Sequence, residues 1–183
     1  MTKIKFSHFK PAIALGTITM LITAILVVSA IFIPDTSNVL TENLRRSCVA
    51  LMGEGEFELV LDDTKPDTVN KMIVKDDGLV AFEISAAGFK PPDGITVLVA
   101  MEPDGSVRGV VPVLIKDDPG IGTRVKDAAF LESFVGVDEP VTVVKREPSS
   151  DNEIMAITGA TYSTQGVADA VNIAIEAYRS LYG

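Results

Sequence analysis

From Ala12 to Ile33 the chain runs for 22 residues without a charge. A helix of that length reaches roughly 33 Å, enough to cross a hydrocarbon core of about 30 Å. Beyond Pro34 the pattern changes to that of a folded domain. Leu40, Leu44 and Leu51 share one face of a short helix expected over about Val39 to Met52. Ser37 or Asn38 is its expected cap, and Gly53 and Gly55 end it. Strand-like runs follow at Phe57 to Leu61, Val69 to Lys75, Leu79 to Ile84, Thr96 to Met101 and Val107 to Ile115. Asp76-Asp77-Gly78 and Glu102-Pro103-Asp104-Gly105 read as hairpin turns, because Pro presets φ and Gly accepts a positive φ. Lys126 to Phe134 reads as helix, Val141 to Arg146 and Ile154 to Ile157 as extended chain, and 148–152 as a loop. The last helix is expected from about Gln165 to Leu181, with Val167, Val171, Ala174, Ile175, Tyr178 and Leu181 on one stripe.

These elements predict an α+β protein: an N-terminal transmembrane helix over 12–33, then one domain over 34–183 with a largely antiparallel sheet and flanking helices. Residues 1–11 form a short leading segment. A cleaved signal peptide, cut after Val28-Ser29-Ala30, is the alternative to a retained anchor. Signal-peptide apolar regions span about 7–15 residues, and here the run continues through Ile31-Phe32-Ile33, which favours the anchor. Lys3, Lys5 and Lys10 precede the span and no acidic residue does, so the positive-inside rule places the N-terminus in the cytoplasm and the domain outside.

Charge and missing residue types narrow the chemistry. Residues 34–183 hold 25 acidic and 13 basic side chains, a formal −12, which excludes a nucleic-acid partner and suits a cationic one. Cys48 is the only cysteine and His8 the only histidine, and His8 precedes the span. The domain therefore builds no disulfide, zinc site, iron–sulfur cluster or histidine-based triad from its own residues. Cys48 reads either as a small packed residue or as a thiolate near Arg45 and Arg46.

One segment carries more specific information. Ala156-Ile157-Thr158-Gly159-Ala160-Thr161-Tyr162-Ser163-Thr164 resembles, at Thr158 to Thr161, the (Ser/Thr)-Gly-Ala-Thr signature on which a flavin transferase esterifies FMN to threonine. A second stretch, Val111 to Gly122, resembles the strand and Glu-Thr-Pro-Gly-Leu-Gly loop of FMN-binding domains of the Rnf and sodium-pumping NADH:quinone reductase kind. Asp117, Asp118 and Ile121 replace Glu, Thr and Leu. Gly88-Phe89-Lys90, the hairpin through Asp104 to Val110, and Phe134 with Gly136 match the same family's order of parts. The likeness extends over about residues 10 to 183 and is nearest to the G subunit of Rnf ferredoxin:NAD oxidoreductases. One position departs: the family usually has Asp where Met155 stands, with Asp151 and Glu153 as nearby acidic residues.

The resemblance implies a single-pass protein of the cytoplasmic membrane whose extracytoplasmic domain carries FMN through a phosphoester at Thr161. It implies an electron carrier without a catalytic residue or metal of its own. Its partners would be the membrane, iron–sulfur and flavin subunits of an Rnf-type complex, and a flavin transferase during maturation. The implied cofactor-binding residues are Thr158, Gly159, Ala160, Thr161, Tyr162 and Thr164, with Pro119, Gly120, Ile121, Gly122 and Thr123 in the loop.

Residue chemistry agrees with parts of this without the family. Gly159 and Ala160 leave room for a nucleotide, and a phosphodiester at Thr161 would sit near a helix N-terminus, which favours anions. Thr164 could cap that helix or bond the phosphate. The glycines of the 119–122 loop permit close approach to a ring, which Ile121 would cover. Thr123 and Arg124 offer donors. The plainer readings are a capped helix entrance at 158–164, a surface turn at 118–122 and a core aromatic at Tyr162. Two other functions remain open: a flavinylated carrier serving another external reductase, and an anchored binding or scaffolding protein in which Thr161 stays unmodified.

Overall fold

The computed structural model describes residues 10–32, 39–60, 65–89, 94–117, 120 and 122–183. The chain divides into two compact units, 1–36 and 37–183. The expected cap residues Ser37 and Asn38, the strand end at Leu61, and Lys90, Asp118, Pro119 and Ile121 of the motifs lie outside the described residues.

The first unit is one helix, α1 (Lys10–Phe32). Its side chains are described over 14–29, and all of them are exposed. That stretch reaches about 24 Å at about 1.5 Å per residue. Among the described residues no helix is long and apolar enough to cross a membrane. The backbone is helical over all but the last residue of the expected run, although the described side chains alone fall short of a span.

The second unit is built on a five-stranded antiparallel meander in the order β1 (Phe57–Val60), β2 (Lys71–Lys75), β3 (Val80–Ala86), β4 (Ile95–Met101), β5 (Val107–Ile115). Gly78 and Gly105 take φ of 88° in the turns between β2 and β3 and between β4 and β5, as the turn chemistry required. Asp104 completes the second turn by accepting from the backbone and hydroxyl of Ser106. All seven residues of β4 are buried, because both sheet faces are covered. This explains its continuous apolar sequence.

Helix α2 (Glu42–Met52) covers one face. Leu44, Cys48 and Met52 pack there with Ile73, Leu79, Ala81, Leu98 and Ala100. Its start differs from expectation. Thr41, in an extended conformation, caps it by accepting from the amide of Leu44 at 3.4 Å. Cys48 is fully buried, which supports the packing reading.

The other face is covered by α4 (Thr161–Tyr182) together with α3 (Ala128–Glu132). Val167, Val171, Ala174 and Ile175 of the expected stripe are fully buried, while Tyr178 and Leu181 pack half-buried at its end. Asn172 ties α4 to the chain before β6 by accepting from the amide of Val141 and donating to its carbonyl. Gly166 lets the helix approach the end of β3: a Cβ there would stand 2.7 Å from the carbonyl oxygen of Ala87. Near the helix's other end the Tyr178 hydroxyl donates to the carbonyl of Pro103. The helix therefore runs from the loop after β3 to the turn between β4 and β5.

Three details differ from the sequence pattern. The helix α4 starts at Thr161, earlier than Gln165, because Thr164 satisfies backbone groups on both sides of the junction. The expected helix over 126–134 is divided into a 3-10 turn (Gly122–Lys126) and α3, with Asp127 between them. The two extended segments, β6 (Thr142–Val144) and β7 (Glu153–Met155), pair in parallel as a separate small sheet. The fold is thus α+β with an antiparallel main sheet and flanking helices.

Burial, followed by the nearby charge of Glu83, pushes the Cys48 thiol up to about 11. A raised thiol pKa means less thiolate at any lower pH. Iodoacetamide at pH 8 should therefore label Cys48 in the folded protein on the order of 100-fold more slowly than in the denatured chain, from the thiolate fraction alone. Equal rates, measured by mass spectrometry, would show that Cys48 is not held in the core.

Candidate functional site

The start of α4 is fixed by a compact hydrogen-bonded junction. The Thr164 hydroxyl is fully buried, donates to the carbonyl of Ala160 at 2.9 Å and accepts from the amide of Ile157 at 3.1 Å. Between these anchors the chain turns through Thr158 and Gly159, where Gly159 takes φ of 82° with open space where a Cβ would stand. Ala160 is buried and Thr161 opens the helix. The amides of a helix's first turn have no acceptors within the helix, so this end of α4 presents donors and the positive end of its dipole. Thr161 is half-buried.

The 3-10 turn after β5 is tied to this junction. The Arg124 guanidinium donates to the carbonyl of Thr158 at 2.6 Å. Thr123 accepts from the amide of Gly120, whose φ is 86°. At the end of β5, Asp117 is 5% exposed and accepts from the hydroxyl of Ser163 at 2.5 Å. Gly122 packs directly on it: a Cβ at Gly122 would overlap the Asp117 Cβ. Gly88, after β3, is constrained less severely: a Cβ there would stand 2.7 Å from Asp117 Oδ2 and 2.9 Å from Ile95 Cγ1. Two loops and the first turn of α4 thus meet at one carboxyl group.

A cleft of about 320 Å³ opens at this meeting point, lined by Phe89, Asp117, Gly122, Gly159, Ala160, Thr161, Tyr162 and Ser163. Its volume lies within the usual range for small-molecule sites, about 300–1,000 Å³. Its lining is mostly apolar, and two exposed aromatic rings stand beside it. Phe89 and Tyr162 meet edge to face at 6.0 Å between centroids, and both are more than half exposed. A second hollow of about 400 Å³ lies across the Thr158 turn, between Arg124, Phe130 and Met155, and Thr161 does not line it.

The residues singled out in the sequence fall into three groups. Gly159, Ala160, Thr161, Tyr162 and Gly122 line the cleft together. Thr158, Gly120 and Thr123 lie in the loops that frame it. Thr164 is turned inward and holds the junction through backbone partners. The space left by the missing side chain of Gly122 is filled by Asp117. Phe89 and Ser163 were not among the expected site residues. Of the acidic residues near Met155, Glu153 is engaged: the Arg146 guanidinium, with the amide and hydroxyl of Ser149, holds its carboxyl down to about 2. Met155 itself is exposed.

Residues 92–176 match the profile of the FMN-binding domain family. The chain is 31% identical over 90 residues to the G subunit of the Na(+)-translocating ferredoxin:NAD(+) oxidoreductase complex of Acetobacterium woodii. That match covers 48% of this chain and 43% of the relative, less than half its length. The G subunit of the proton-translocating ferredoxin:NAD(+) oxidoreductase complex of Clostridium ljungdahlii is 27% identical over 172 residues, covering 91% of this chain and 90% of the relative. The crystal structure of Shewanella oneidensis NqrC aligns with a TM-score of 0.48 and 21% identity, over 69% of this chain and 67% of that one. Residues 92–176 are therefore similar to the FMN-binding domain family, in a chain similar to the G subunits of ferredoxin:NAD(+) oxidoreductase complexes.

Proposed function

We propose that this chain is a membrane-anchored electron-transfer subunit of an Rnf-type ion-pumping complex, with FMN held through a phosphoester at Thr161. The observation that carries the reading is the position of Thr161: first residue of α4, on the lining of the cleft, and inside the segment that matches the FMN-binding domain family. Among the described residues its hydroxyl has no hydrogen-bond partner, unlike that of Thr164, so it is available as an acceptor for the nucleotide.

The surrounding residues fit the group. A phosphodiester at Thr161 would stand at the N-terminus of a 22-residue helix, where first-turn amides and the dipole favour an anion. Arg124 adds positive charge at the same turn. Gly159 leaves its side of the turn open, and Phe89 and Tyr162 offer aromatic surface for a flat ring. Bound FMN would supply one- and two-electron transfer. The chain's own part is to attach it, orient it and set its electrostatic surroundings. A flavin transferase would install it, and neighbouring redox subunits would give and take the electrons. The apolar run over 12–33 would be the anchor, with residues 34–183 extracytoplasmic. Ion movement would belong to partner subunits, because the run contains no charge from which to build a path.

Co-production with a flavin transferase should give protein that stays fluorescent on a denaturing gel. Thr161→Ala should lose that fluorescence and Thr158→Ala should keep it. Retention of covalent flavin by Thr161→Ala would sink the reading. Protease added to cells stripped of outer barriers should digest residues 37–183 and leave the N-terminal segment with the membrane; full protection would reverse the orientation. Gly122→Ala should destabilise the protein by about 1–3 kcal/mol, because the new methyl overlaps Asp117. Gly120→Ala, which meets only open space, should cost about 1–2 kcal/mol through its positive φ. Denaturant unfolding in which Gly122→Ala is neutral would show that the Asp117 packing is not as described.

A further inference from the structure

We infer that Asp117 is a positioning and charge-setting residue of the flavin cleft: it pins the first turn of α4 through Ser163 and holds the flavin's reduction potential low. This rests on the reading of Thr161 as the attachment site.

The structure makes unusual room for this carboxyl. It is 5% exposed, yet it lines the cleft. Gly88 and Gly122 lie 34 residues apart in two different loops; a Cβ at Gly122 would overlap the Asp117 Cβ, and one at Gly88 would press on the carboxyl oxygens and on Ile95. One group that meets the carboxyl is Ser163, the third residue of α4 and two positions from Thr161. The bond therefore fixes the helical turn that would carry the flavin.

Charge gives the group a second consequence. The carboxyl stands at the start of a 22-residue helix, within hydrogen-bond reach of Ser163. The same cleft, about 320 Å³, would hold the ring. At separations of a few ångströms within a protein, a fixed charge acts strongly on a charge that develops beside it. Reduction moves electrons from an external donor onto the ring, and the carboxylate opposes the negative charge they bring. Holding the ring harder to reduce is the expected effect. It is separable from pinning the turn, because Asn keeps the shape and the acceptor oxygen of Asp while removing its charge. Ser163→Ala does the reverse.

The test titrates full-length flavinylated protein with dithionite, which donates the electrons, while the solvent donates any protons taken up. Amide hydrogen exchange over 160–164 is followed in parallel in flavin-free protein. Asp117→Asn should raise the midpoint potential and leave exchange near that of the parent. Asp117→Ser, smaller than the native residue and free of steric demand, should raise the potential as well. Ser163→Ala should speed exchange and shift the potential less than Asp117→Asn does. The inference is overturned if neither neutral variant shifts the potential upward, or if Ser163→Ala shifts it as far as Asp117→Asn. Parent protein that carries no covalent flavin would instead overturn the assignment of Thr161.

Discussion

The burial of one face of α4 against the sheet is the interaction on which the candidate site depends. Val167, Val171 and Ile175 are fully buried, each contributing about 1.5–3 kcal/mol relative to exposure. Gly166 brings the helix backbone close to the carbonyl of Ala87, and Asn172 locks it to Val141. With position and rotation fixed along most of its length, the first turn has little freedom left. Thr161, Tyr162 and Ser163 are delivered to the sheet end where the loops after β3 and β5 open. Loss of packing far along the helix would loosen the site without touching a residue that lines it.

The loops at that end are held by polar groups rather than by apolar mass. Asp117 gathers Gly88, Gly122 and Ser163 around one carboxyl, and Arg124 ties the 3-10 turn to Thr158. Such an arrangement sets the geometry of the loops through directional hydrogen bonds and close backbone approach. The cleft keeps apolar walls with its polar groups concentrated at the helix start, a division that suits a flat aromatic group joined to an anionic tail.

Much of the fold was legible because its signals are local. Gly78 and Gly105 sit where a turn needs positive φ, and the stripe of α4 repeats at the helical period. The start of α4 was not legible, since Thr161 to Thr164 is polar and reads as loop until the Thr164 hydroxyl is seen bridging Ile157 and Ala160. The pairing of β6 with β7 was hidden by their length of three residues each. At the site, the motif residues Gly159 to Tyr162 could be picked out by their order along the chain, and they do line one cleft. The need for a glycine at position 122 could not, because it arises from Asp117, whose own partner Ser163 is 46 residues away. Phe89 likewise becomes notable only when it stands beside Tyr162.

The central claim is that a flavin attached at Thr161 occupies the cleft between the α4 start and the loops after β3 and β5. Amide chemical shifts measured by NMR on the protein with and without covalent flavin test it most directly, because the ring current of the isoalloxazine acts only on nearby groups. The account predicts the largest shifts at Gly88 and Phe89, at Asp117 and Gly122, and from Gly159 to Ser163, with little change around Lys71 and Glu83 on the opposite face. Shifts confined to Thr161 and its immediate neighbours, or centred on the hollow beside Phe130 and Met155, would contradict it.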